Sequence, residues 1–201
     1  MAAGVGKSAR LKGNNFELKI AKQFTKWADG EAEYSRTPGS GSWGSSHGRL
    51  SGDIAGDIAT EALWPFSIEL KNHESFTSLD TIYHSQANIQ SFWNQNLGDA
   101  VRVHKVPMLI THRNRSKSYL TMPYSPIIHK DFRDADLDYG IMNIRWHHDA
   151  LDVDLAVEVI TVVLEDFLDT YDYDTLSTKD KEMFARWYDR LEHDKDIRGL
   201  A

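Results

Sequence analysis

The chain of 201 residues contains no cysteine, which excludes disulfides, cysteine zinc sites and thiol catalysis and suits a reducing compartment. It also lacks any run of about 18 apolar residues, so no membrane-spanning helix is expected. The opening MAAGVGKSARLKGNN has no long apolar stretch of the kind a signal peptide needs. A soluble, cytoplasmic protein with no membrane partner is the expectation. The sequence has no internal repeat and little low complexity beyond one glycine-serine stretch. It has no excess of basic charge either, the formal net charge being -7.

That total conceals an uneven distribution. Residues 1–50 hold 8 basic and 4 acidic side chains, and the balance is then -6 over 51–100, +3 over 101–150 and -8 over 151–201. Such a pattern allows a basic nucleic-acid track beside an acidic metal-binding cluster, and equally a plain acidic protein with a solvated tail. The length suits a single domain with a core large enough to fold without staples.

Gly39-Ser40-Gly41-Ser42-Trp43-Gly44 matches G-x-G-x-x-G, whose physics requires a helix to follow and to receive a pyrophosphate on its N-terminus. Gly48 and Gly52 argue against that helix, since each interior glycine costs about 1 kcal/mol relative to alanine. No nucleotide cofactor is expected.

Asn14 and Asn15 are positioned to cap a helix over 16–28. At about 100° per residue, Phe16, Ile20, Ala21, Phe24, Trp27 and Ala28 share one arc, with Lys19, Lys22 and Lys26 opposite. Glu17 falls inside the apolar arc. An inward carboxylate requires an ion pair, a metal or an edge that reaches water. Residues 31–37, 57–60 and 64–71 read as strands, the last two joined by a short turn at Glu61-Ala-Leu, with Glu69 and Lys71 on one face and Ile68 and Leu70 on the other. A helix over 78–97 brings Gln86 into its inner face. Strands follow over 106–112 and 117–123 around the basic turn bearing Arg113 and Arg115, then over 141–146 and 157–164. His147 and His148, adjacent in a strand, point to opposite faces and do not share an ion easily. Ser177 is read as the cap of a final helix with Met183, Phe184, Trp187, Tyr188 and Leu191 as its apolar stripe. The order predicts an α/β fold with a central mixed sheet flanked by helices, followed by an acidic helical C-terminal appendage.

Glu17, Asp57, Glu69 and Lys71 together suggest chemistry. Hard divalent cations take oxygen ligands at about 2.0–2.1 Å and keep several waters. Two or three converging carboxylates with a lysine therefore suit a phosphate substrate.

Gly56-Asp57-Ile58 followed by Phe66-Ser67-Ile68-Glu69-Leu70-Lys71 resembles the D…(D/E)xK signature of the PD-(D/E)xK nuclease superfamily, with Gly56 where that pattern has proline. The helical Glu17, then Arg36 and the small residues Ser40 and Gly41, give the chain its nearest likeness to archaeal and phage-type Holliday-junction resolvases, over roughly residues 10–122. The resemblance implies a restriction-endonuclease-like core over 1–124 with an extension over 125–201 packed on it as one domain. It implies Mg2+, with Mn2+ as a substitute, bound by Asp57, Glu69 and Glu17, with Lys71 orienting water or stabilising charge and the Leu70 carbonyl as a further ligand. Asp53, in the first of two Gly-Asp-Ile triplets, is the fallback for Asp57. The implied substrate is DNA, branched by preference and cut by a homodimer, and the alternatives are a general or restriction-like nuclease and a non-catalytic recombination accessory protein. Arg36, Ser40, Trp43, Arg49, Arg113 and Arg115 are the candidate DNA contacts, with Gln86 a secondary candidate near the metal.

Overall fold

A computed structural model describes residues 3–37, 53–55, 64–72, 86–148, 153–178 and 180–190. The first helix, α1 (Ala3–Trp27), precedes a ribbon of two short strands, β1 (Ser35–Arg36) and β2 (Ile54–Ala55). The main sheet begins with β3 (Phe66–Asn72), and α2 (Gln86–Arg102) then leads into β4 (Val106–His112) and β5 (Tyr119–Pro123). After α3 (Pro126–Asp134) come the long strands β6 (Tyr139–His148) and β7 (Val153–Val163). Helices α4 (Leu164–Thr170), α5 (Tyr173–Thr178) and α6 (Asp180–Met183) follow, and residues 185–190 are again helical.

The sheet order is β3-β4-β5-β7-β6. Strands β3 and β4 are parallel and the other neighbours antiparallel, giving the mixed α/β sheet flanked by helices that the element order predicts. Residues after 124 contribute β6 and β7, so the sheet itself spans that boundary.

Alternation gives the sheet two unlike faces. Phe66, Ile68 and Leu70 share one with Met108, Ile110, Leu120, Met122, Ile160 and Val162, all buried. Helix α1 covers this face, with Phe16 stacked on His112 at 5.0 Å between ring centroids. The other face carries Ser67, Glu69, Lys71, Thr111, Thr121 and Thr161. Helix α2 lies over it, with Phe92 beneath the Lys71 ammonium. Apolar burial at about 25 cal/mol per Å2 holds the first face, whereas the second keeps polar groups in the interior.

Pro107 is tolerated in β4, an interior strand, because the Val106 N–H donates to the Pro65 carbonyl on the β3 side, which turns the next nitrogen away from that ladder, where no N–H is needed. The Asn96 side chain of α2 gives its amide hydrogens to the carbonyls of Ser67 and Met108 at 3.2 and 3.1 Å, tying the helix to both parallel strands.

Several elements differ from expectation. Helix α1 starts eleven residues before Asn14 because Asn14 does not cap: its Oδ1 accepts from Arg36 Nη2 at 3.0 Å, a long-range bond in place of one to its own helix. Only Ser35–Arg36 of the expected strand 31–37 pairs. The expected strand 57–60 and the start of the helix expected from Ser78 lie outside the described residues, and α2 continues to Arg102, past the expected end at Leu97. Helix α3 was not anticipated, although Ser125 caps it by accepting from the Ile128 amide and Pro126 opens it. Ser177 falls inside α5 rather than capping a later helix. Tyr173, stacked on Trp64 at 5.0 Å, and the buried Leu176 anchor this turn in the core.

Candidate active site

The site forms where the β1–β2 ribbon meets the outer edge of β3. An edge strand presents unpaired N–H and C=O groups, and Asp53, immediately before β2, uses them. Its N–H donates to the Ile68 carbonyl at 2.7 Å and its Oδ2 accepts the Leu70 N–H at 2.8 Å, on either side of Glu69. The Thr37 N–H donates to the Asp53 carbonyl at 3.1 Å, fastening the other end of the ribbon. One carboxylate oxygen is thus fixed, and Oδ1 has no hydrogen-bond partner among the described residues.

Glu69 is 2 % exposed and Asp53 7 %. Glu69 Oε1 accepts from Lys71 Nζ, and that ammonium lies 5.4 Å from the centre of the Phe92 ring. Burial, the Asp53 charge next, pushes the Glu69 carboxyl up to about 7, while Lys71 pulls the other way. Burial also raises Asp53, against the Leu70 hydrogen bond and Lys71, and the Glu17 charge adds to the rise. Two carboxylates held in a dry site at each other's expense, each with an oxygen to spare, suit a hard cation.

Glu17 projects from α1 toward this cluster, and its inward direction has a structural partner. Arg36 Nε donates to Glu17 Oε2 while Nη2 bonds Asn14. The guanidinium read as a DNA contact is therefore engaged in orienting Glu17. Among the described residues no group of three or more His, Asp or Glu side chains gathers at metal-binding distance, and the acids at the centre of this site are the buried pair Asp53 and Glu69.

Asp57, Ser40, Trp43 and Arg49 lie outside the described residues. Gln86 opens α2. Arg113 and Arg115 stand in the β4–β5 turn, at the end of β4 where Thr111 and His112 pair with Lys71 and Asn72. Arg115 has φ 64, a left-handed conformation that costs a bulky L-residue about 1–2 kcal/mol, and Ser116 Oγ closes the turn on the Arg113 carbonyl at 2.9 Å. Asn14 reads in the sequence as a cap rather than as a partner of Arg36, and nothing there marks Phe92 or Asn96 as supports of the site. Their roles depend on partners 22, 21 and 29 residues distant in the chain, which no local pattern reveals.

No described helix is long and apolar enough to cross a membrane. A family model described as "Phage putative PDDEXK endonuclease" matches residues 8–178. No curated protein and no solved structure matches the chain.

Proposed function

From the fact that the chain belongs to the phage PDDEXK endonuclease family, a family of DNA nucleases, we propose that it hydrolyses DNA phosphodiester bonds with a divalent cation held by Asp53 and Glu69. Magnesium is the resident ion in this reading and manganese its substitute. The observation that carries the reading is the buried Asp53–Glu69 pair, whose mutual repulsion a cation relieves. When bound, the ion supplies positive charge and a water of lowered pKa.

The chain's own residues have distinct tasks. Asp53, clamped by the Leu70 amide, presents one oxygen in a fixed direction. Lys71 holds Glu69 and keeps a positive charge where negative charge grows on the phosphate. Glu17, steadied by Arg36, adds a third carboxylate near Asp53. Arg113, Arg115 and Lys117, at the same end of the sheet as Lys71, receive the DNA backbone. Branched DNA is the preferred substrate and a homodimer the acting unit in this reading, since paired cuts call for two sites related by a twofold axis.

The test is cleavage of an immobile four-way junction and a linear duplex of matching sequence in magnesium, comparing wild type with Glu69→Ala, Asp53→Asn and Asp57→Asn. Paired nicks in the junction, lost in Glu69→Ala and reduced at least about 100-fold in Asp53→Asn, are expected. Loss in Asp57→Asn with Asp53→Asn active would transfer the role to Asp57. Equal cutting of both DNAs would refute branch selectivity, and no cutting with any divalent metal would refute catalysis.

A further inference from the structure

A cavity of about 140 Å3 lies at the opposite end of the sheet from the β4–β5 turn, lined by Pro123, Tyr124, Val157, Glu158, Arg186, Trp187 and Arg190. Glu69 is level with Leu109 and Thr121, so Pro123 lies two strands across the sheet from it and two residues, or roughly 7 Å at strand rise, farther along β5. Arg186 and Arg190 are four apart in the helical stretch 185–190, a spacing that brings both side chains to one face.

The walls are fixed. Arg190 Nη1 donates to the Ala156 carbonyl at 2.9 Å, placing one guanidinium at the rim with its other donors unengaged by any described residue. Trp187, 4 % exposed, donates Nε1 to the Lys105 carbonyl at 3.1 Å and anchors the segment between the two arginines. On the opposite wall the Tyr124 hydroxyl bonds His129 Nδ1 at 2.8 Å, and His129 Nε2 bonds the Tyr139 hydroxyl at 2.8 Å. The Tyr124 ring is thus held against the cavity. Among the described residues Glu158 is the only carboxylate in the lining, and it forms no ion pair with either arginine. Two guanidiniums that no described carboxylate pairs with, beside a cavity wide enough for a tetrahedral anion, stand out in the quarter of the chain with a net charge of -8. Guanidinium forks match phosphate oxygens in shape and charge.

We propose that this cavity is a second phosphate-binding site, at which Arg186 and Arg190 hold a phosphate of DNA away from the bond being cut. This deepens the nuclease reading and rests on it for its substrate. A DNA molecule held at both the carboxylate site and the cavity gains an advantage from linked binding that a short duplex reaching only one of them lacks. The same chemistry accepts the phosphate of a free mononucleotide, and the experiment separates the two.

Full-length wild type, Arg186→Ala, Arg186→Lys and Arg186→Ala/Arg190→Ala are compared, with Lys130→Ala as a surface-charge control. Anisotropy with a fluorescent four-way junction in calcium is followed across a salt series. Expected are a 3- to 10-fold weaker Kd in the double variant, a salt slope lower by about 1–2, partial rescue in Arg186→Lys and no change in Lys130→Ala. Thermal melting with inorganic phosphate or dAMP provides an arm independent of nuclease action. A rise in Tm for wild type that the double variant lacks supports the site even if no DNA is cut. A phosphate response with unchanged junction affinity and slope would assign the cavity to a free phosphate compound and overturn its role in DNA binding. No response to phosphate, dAMP or junction attributable to these arginines would overturn the site altogether, whatever the outcome of the cleavage assay.

Discussion

Glu69 concentrates the chemistry of the site in one side chain, and its burial gives a pH dependence with a definite sign. Its folded pKa, about 7, lies above the ordinary 4.5, so the native state holds more protons than the unfolded chain between those values. Stability contributed by this group is therefore present below about pH 4.5 and lost as pH rises through about 7. Metal-free protein is expected to melt at a lower temperature at pH 8 than at pH 6, and Glu69→Gln to flatten the difference, as thermal melts in a chelator would report. With magnesium bound by this pair as proposed, the trend is expected to reverse, because binding requires the proton to leave, and the ion's stabilising effect to be larger at pH 8 than at pH 6. A Glu69→Gln profile as steep as that of wild type would transfer the effect to another group.

At the scale of elements, the parallel pair β3 and β4 depends on α2 through Asn96, whose amide bridges two carbonyls in the buried layer beneath Glu69's face. Removing a buried donor costs about 1–3 kcal/mol. Asn96→Ala is expected to lose that much stability in urea denaturation, with catalysis falling as β3 loosens, whereas the exposed Asn15→Ala stays within about 0.5 kcal/mol. Sequence pattern reveals β3, β4, β7 and the buried arc of α1, because alternation and 3.6-residue periodicity follow directly from burial. Helix α3 carries a readable Ser-Pro start. The tie of α2 to β3 and β4 through Asn96 has no local signal, since the two carbonyls it reaches lie 29 and 12 residues away in the chain. Likewise Glu17, Glu69 and Lys71 were legible as an inward acid and an acid-lysine pair. That Asp53 meets the β3 edge was not, because the contact joins it to Ile68 and Leu70 across 15 and 17 residues of chain.

Across the whole molecule, charge of both signs is arranged by position in the fold. The basic β4–β5 turn stands at the Lys71 end of the sheet and the Arg186–Arg190 cavity at the other, with the carboxylate pair between those levels. DNA affinity is expected to fall with salt despite the net charge of -7, and Arg113→Ala/Arg115→Ala to reduce the slope of log K against log salt by about 1–2, measured on a short duplex. A salt-independent affinity would separate binding from both basic regions. The Thr37 amide bond to the Asp53 carbonyl has a different consequence. It makes the ribbon a lever on the carboxylate: the backbone of Asp53 is gripped by β1 on one side and by β3 on the other, so a change at Thr37 that removes its N–H, such as Thr37→Pro, is expected to loosen the aim of a side chain it never touches.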